Sequence, residues 1–152
     1  NHQIAEGIRR GGTWNTLLHG PPPRAGATSV PLANPDTLGS RAYLDLRKGP
    51  FRLEGTRPDG CTYWSASVFA HNTDTVLMLT DKDTPNRQVS LGIRTAEQSF
   101  LEPVSHEAVL PSATGVLLLR CFMRDRTDTA YLAGLDAQRR QLTLRPVQER
   151  VQ

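Results

Sequence analysis

Apolar and polar side chains alternate most densely between Ala42 and Asp81, with a period of two. In Tyr43-Leu44-Asp45-Leu46-Arg47, the leucines share one face of an extended strand. Lys48-Gly49-Pro50 reads as a turn, and Phe51 and Leu53 then alternate inward again. Arg57-Pro58-Asp59-Gly60 carries proline and glycine where a β-turn wants them. Thr62 to His71 is a long strand candidate, with Trp64, Ala66, Val68 and Ala70 on one face. Its other face holds Tyr63, Ser65, Ser67 and Phe69, and apolar or small residues on both faces mark a central strand. Asn72-Thr73-Asp74 is a turn before a strand over Thr75 to Thr80. The tract therefore predicts four antiparallel strands in a meander, with the third one central.

The flanks are less regular on one side and equally strand-rich on the other. Residues 1–30 read as an irregular N-terminal arm or linker, broken by Gly11-Gly12 and by Gly20-Pro21-Pro22-Pro23. A short helix or turn is predicted around Thr13 to Leu18, with Trp14, Leu17 and Leu18 docking on the body. Residues 31–152 read as one domain. After a polar loop at Asp81 to Asn86, Val89, Leu91 and Ile93 alternate in a strand. Thr95-Ala96-Glu97-Gln98 has the form of a capping box and predicts a short helical turn ended by Pro103. Strands follow at Glu107 to Leu110 and Gly115 to Met123. Asp125 to Thr129 offers caps for a helix to about Gln138, with Tyr131, Leu132 and Leu135 inward, before a last strand at Gln141 to Leu144. Seven or more short strands and one late helix define a mainly β protein, a β-sandwich or an open barrel.

Composition narrows the class without naming a function. A chain of 152 residues, 38% hydrophobic and 22% charged, has the make-up of one globular domain that folds without a metal or disulfide staple. The net charge of +3 comes from scattered arginines, not a basic face interleaved with aromatics, so no nucleic-acid partner is expected. Only Lys48 and Lys82 are lysines, which fits codon bias in a GC-rich bacterial genome. No apolar run approaches a membrane span. Cys61 and Cys121 lack CxxC or histidine neighbours at zinc spacing, so no metal site is expected. The two cysteines read either as a disulfide of an oxidising compartment or as two small apolar strand residues.

Candidate chemistry is sparse. No phosphate-cradling glycine motif, no GxSxG elbow and no HExxH is present, and no cofactor is expected. His71 and Asp74 could form a local His–Asp pair, although a polar turn satisfying its own backbone is the plainer account. Asp36 and Arg41, with Tyr63 from the sheet, could line a shallow pocket for a small polar ligand. Tyr63 and Trp64 read as core and interface aromatics, and Ser65 and Ser67 as small strand residues without a base.

Several stretches together resemble one bacterial family. They are Asn34-Pro35-Asp36-Thr37-Leu38, Leu44 to Pro50, Tyr63 to Phe69, Asn72-Thr73-Asp74, and Gly115 to Arg120 with the helix after it. The family is the domain-of-unknown-function family twelve fifty-four, and the likeness covers roughly Pro31 to Pro146. The resemblance implies an immunoglobulin-like antiparallel β-sandwich with one or two short helices. It also implies kinship with short members that carry an N-terminal membrane anchor, a segment absent from this chain; a start at Asn1 is what its removal would leave. In longer members a jelly-roll domain follows, for which a chain ending near Val151 leaves no room. Where the family pattern often has an aromatic, this chain has Gly39. The resemblance carries no catalytic residues over.

Three functions are compatible with these observations. The first is a non-catalytic binding or assembly module of the bacterial envelope, at the periplasmic face of the inner membrane, with a separate jelly-roll protein as its partner; a cytoplasmic location stays open. The second is a hydrolase-like enzyme bringing Asp36, Arg41, Tyr63, His71 and Asp74 into one cleft. The third is a small-ligand carrier.

Overall fold

The structure is a computed structural model that describes residues 13–22 and 37–149. Its strands are β1 (Leu18–His19), β2 (Thr37–Asp45), β3 (Phe51–Thr56), β4 (Tyr63–Ala70) and β5 (Thr75–Thr80), followed by β6 (Gln88–Thr95), β7 (His106–Leu110), β8 (Thr114–Phe122) and β9 (Thr143–Pro146). Among the described residues one α-helix, α1 (Thr129–Arg139), precedes β9, and one 3-10 turn spans Asp81–Asp83. They form a five-stranded sheet of order β1-β2-β8-β4-β5 and a four-stranded sheet of order β7-β6-β3-β9. The two sheets pack face to face, which is the β-sandwich that strand density and turn spacing predict.

The four strands between Ala42 and Asp81 exist, but they are not a meander. Only β4 and β5 form a hairpin, whereas β3 belongs to the opposite sheet and pairs with β6 and β9. The connections on either side of β3 therefore cross the sandwich. Arg57-Pro58-Asp59-Gly60 is such a crossing and not a hairpin turn. Its amides find distant partners: Arg57 donates to the Arg87 carbonyl at 2.9 Å and Asp59 to Gln138 Oε1 at 2.9 Å. A proline-glycine signal reports a change of direction and says nothing about which strand lies beyond it.

β4 is an interior strand, between β8 and β5, and β8 holds the middle of its sheet. The inward faces carry Leu44, Trp64, Val68 and Leu117 from one sheet and Leu53, Leu91 and Ile93 from the other, each 2% exposed or less. Ser65 and Ser67 face outward but are also buried, because short side chains sink between larger neighbours on adjacent strands. Gly115 admits β4 closely: a Cβ there would lie 2.5 Å from the Phe69 carbonyl oxygen.

Further departures from the sequence expectation have local causes. β7 runs parallel to β6, so the pairing is mixed where an all-antiparallel sandwich was expected. The 96–105 crossover that this requires lies over the four-stranded sheet, and Phe100 fills the space above Gly92 that any Cβ would obstruct. The capping-box sequence at Thr95 yields a turn: the Thr95 N–H donates to Gln98 Oε1 at 2.9 Å, but no helix follows. Thr13 to Leu18 holds a turn at Asn15, one of the two expected forms, and no helix. Asn15, at φ 60°, pairs its side-chain amide with the Asp45 backbone at 2.9 and 3.0 Å, and Trp14 bridges to Tyr43.

α1 begins at its N-cap Asp128, whose carboxylate accepts from the Tyr131 N–H at 3.1 Å. Leu132 and Leu135 are buried, and Tyr131 and Leu135 pack on Gly60, where a Cβ would meet both at 3.1 Å. Beside this contact Cys61 and Cys121 form a disulfide with a Cα–Cα distance of 5.3 Å and a sequence separation of 60. Closing a loop of that length restricts the unfolded chain, with a stabilisation of about 4 kcal/mol in the chain-entropy picture. Replacing both cysteines by alanine is expected to lower unfolding stability by about 2–4 kcal/mol, read from urea unfolding extrapolated to water, with a larger m-value because the unfolded chain is no longer held by the loop.

Candidate functional site

The structure spreads the residues singled out from the sequence along one sheet. Asp36 lies outside the described residues. Arg41 and Tyr63 both point to the outer face of the five-stranded sheet, on β2 and β4. The register Arg41↔Leu118↔Ser67 puts them two strands and four residues apart, about 16 Å. His71 and Asp74 sit at the β4–β5 turn, at the far end of β4 and about 26 Å from Tyr63. There His71 Nδ1 is hydrogen-bonded with Thr114 Oγ1 at 2.7 Å. Asn72 Oδ1 accepts from the Asp74 N–H at 3.1 Å and Asn72 Nδ2 donates to the Asp74 carboxylate at 3.0 Å, which supports Thr73 at φ 73°. Arg41, Tyr63 and His71 therefore do not converge on one cleft, whereas His71 and Asp74 share a turn.

What the fold does assemble around Arg41 is a groove of about 720 Å³ over β1, β2 and β8. Its floor is Gly39, where an added Cβ would meet nothing closer than the Leu119 carbonyl at 3.8 Å. Arg120 stands opposite Gly39 on β8, and Arg41 follows one outward position along β2. Both guanidinium groups are exposed, and among the described residues neither meets a carboxylate; Arg41 lies 5.7 Å from the Tyr43 ring centroid. Thr37 Oγ1, also at the groove, is buried without a hydrogen-bond partner among the described residues.

The wall of the groove is fastened by a buried arginine. Arg139, 3% exposed at the end of α1, donates from Nη1 to the Gly39 carbonyl at 2.8 Å and from Nη2 to the Gly20 carbonyl. Its Nε donates to Asp136 at 2.8 Å. Burial lowers the Arg139 pKa and the Asp136 partnership raises it back in part, so the group stays charged. Burial works to raise the Asp136 carboxyl, but hydrogen bonds from Arg139 and Arg140 hold it below its ordinary value. His19 is hydrogen-bonded with Ser40 Oγ at 2.7 Å. Burial first, then the charges of Arg139 and Arg140, push its pKa down from 6.5.

Elsewhere the outer face of this sheet mixes apolar side chains with the buried Ser65 and Ser67. Tyr63 and Phe122 meet edge to face at 5.5 Å at one end of the β4–β8 ladder, half-buried Phe69 and Val116 pair at the other, and half-buried Leu118 opposes Ser67 between them. Met78 on edge strand β5 is 52% exposed. The outer face of the other sheet is different. There Arg52 and Arg145 both pair with Glu54 and Glu102, and Arg52 also donates to Ser90 Oγ at 3.0 Å. His19, Arg120 and Arg139 gave no sequence signal, because their roles come from register and from contacts across 100 or more residues.

A disulfide-linked mixed β-sandwich with one ion-paired outer face and one apolar-to-basic outer face is the class this geometry defines. The chain belongs to the family described as Protein of unknown function (DUF1254), whose profile matches residues 14–146. The match starts earlier than the Pro31 to Pro146 resemblance and takes in the Trp14 bridge and β1. No curated protein matches the chain. Among solved structures, the VPA0106 protein of Vibrio parahaemolyticus is similar with a TM-score of 0.76 at 14% identity, over 99% of this chain and 37% of that one. An uncharacterized protein of Burkholderia cenocepacia is similar with a TM-score of 0.54 at 19% identity, over 99% of this chain and 40% of that one. These likenesses show a shared fold, and this chain spans about two-fifths of the length of either.

Two outcomes follow from the Arg139 joint. Arg139→Met removes the donor to two carbonyls and strands Asp136, so a loss of about 3 kcal/mol is expected in chemical unfolding. His19 titrates lower in the folded chain than in the unfolded one, so its contribution is present above pH 6.5 and is lost as pH falls through its folded value. Lowering pH from about 7.5 to about 5.5 is expected to lower the melting temperature, and His19→Gln is expected to flatten that slope.

Proposed function

We propose that the chain is a non-catalytic binding or assembly module of the bacterial cell envelope, and that it docks through the outer face of its five-stranded sheet. The observation that carries the reading is the side-chain content of that face. Phe69, Val116 and Leu118 are half-buried and Met78 is exposed around the buried Ser67, and apolar side chains grouped on an outer sheet face support an interaction site. Its edge strand, Thr-Val-Leu-Met-Leu-Thr over Thr75–Thr80, has no charged side chain to discourage pairing.

The occupant is a separate jelly-roll protein, presenting an apolar patch to β4, β5 and β8. Two observations support a folded partner. The matched solved chains carry 63% and 60% of their length beyond the shared region, taking the remainder of the 37% and 40% covered. The ion-paired Arg52–Glu54–Arg145 face contrasts with the apolar-to-basic one. The disulfide favours an oxidising compartment and so the periplasmic side of the inner membrane, with attachment through an N-terminal anchor. No helix among the described residues is long and apolar enough to cross a membrane.

The test mixes the purified chain with the jelly-roll protein encoded beside its gene and follows association by analytical ultracentrifugation. A complex is expected, weakened at least about tenfold by Met78→Glu or Phe69→Ser, with Arg47→Gln as a neutral control. A gene neighbourhood without such a protein, a mixture that sediments as two species, or a complex indifferent to both substitutions would each overturn the reading.

A further inference from the structure

We infer that the groove over Gly39 is an oxyanion-binding site, taking a phosphate or carboxylate group between Arg41 and Arg120. The inference does not depend on the docking reading, which concerns the β8-β4-β5 side of the same sheet and shares only Leu118 with the groove. Three observations converge on it. Among the described residues the groove is lined by two arginines and a histidine and by no Asp or Glu. The guanidinium groups are diagonal neighbours across the β2–β8 ladder, since Arg41 opposes Leu118 and Arg120 opposes Gly39. Arg41 leans toward the Tyr43 ring, and a turn of its flexible side chain back across the diagonal would bring both forks to one bound group. Among the described residues Arg52, Arg94, Arg139 and Arg145 are paired with carboxylates, whereas Arg41 and Arg120, like Arg57 and Arg126, are not.

The space between them exists because the residue opposite Arg120 is a glycine. Any larger side chain at position 39 would project into the groove, and the backbone there leaves room for one. Thr37 Oγ1 adds a buried hydroxyl that has no hydrogen-bond partner among the described residues. Behind the wall, Arg139 and Arg140 contribute further positive potential, strong enough at His19 to help depress its protonation. Asp136 faces those two arginines and is bonded to them, so it offsets their field only in part. A tetrahedral or planar oxyanion satisfies two forks and one hydroxyl together, which a neutral ligand does not.

The experiment is an NMR titration of the whole chain at low ionic strength, with inorganic phosphate in one arm and succinate in the other. Saturable shifts are expected at Thr37 to Arg41 and Leu118 to Arg120, with a Kd of about 1 mM or tighter. Arg41→Gln and Arg120→Gln are each expected to weaken binding at least about tenfold, while Arg47→Gln leaves it unchanged. Gly39→Phe fills the groove without removing charge and is expected to abolish binding; if it does not fold, the two glutamine variants decide. Saturation by phosphate alone assigns a phosphoryl ligand, by succinate alone a carboxylate, and by both an unselective oxyanion site. No saturation by either anion up to about 50 mM, or unchanged binding in folded Arg41→Gln and Arg120→Gln, overturns the inference.

Discussion

The two-sided ladder of β8 is the constraint on which the rest depends. Thr114 to Phe122 hydrogen-bonds to β2 on one edge and to β4 on the other along its whole length. Its inward residues Leu117, Leu119 and Cys121 enter the core, and its outward residues Val116, Leu118, Arg120 and Phe122 set the character of the exposed face. Moving that register by one residue would exchange the two sets, burying a guanidinium and exposing the leucines. The apolar surface, the arginine pair over Gly39 and the disulfide all follow from that one alignment. Gly115 is part of the same constraint, because β4 could not lie so close at that level beside a residue with a side chain.

Helix α1 meets the ladder at two points. Near its start, Tyr131 donates its hydroxyl proton to the Gly60 carbonyl, beside the disulfide. Its last residue, Arg139, gathers the carbonyls of Gly20 and Gly39. The helix thereby links the crossing loop after β3 to the β1–β2 edge. An arginine suits the second point because its planar fork serves two carbonyls and a carboxylate at once, which a lysine cannot do. Burying that charge is tolerable only with all three partners present.

Strand positions were legible in the sequence wherever side chains alternate. Leu44, Leu46, Leu53, Trp64, Val89, Leu91 and Ile93 are buried as their spacing predicts. Partnership was not legible. Period two reports which face a residue takes and not which sheet its strand joins, so β3 was read as the neighbour of β2 and β4 when it lies across the core from them. The parallel β6–β7 pair was hidden for the same reason: its crossover has no helix to announce it. The site was legible only at Arg41. Its neighbour Arg120 lies 79 residues away in the chain and is brought there by the β2–β8 register alone. Tyr63, His71 and Asp74 were drawn together by their chemistry on paper, but distance along a strand separates Tyr63 from the other two.

The Cys61–Cys121 bond also decides what a protease could do to this molecule. The covalent ring it closes runs from the start of β4 to near the end of β8 and includes the exposed stretches at 71–75 and 101–105. A nick in either stretch would leave both halves on one molecule, with Trp64 still opposite Cys121 as the seed of the original strand alignment. Cleavage there would change the number of polypeptide pieces without releasing a fragment, and the sandwich would come apart only once the bond was reduced as well.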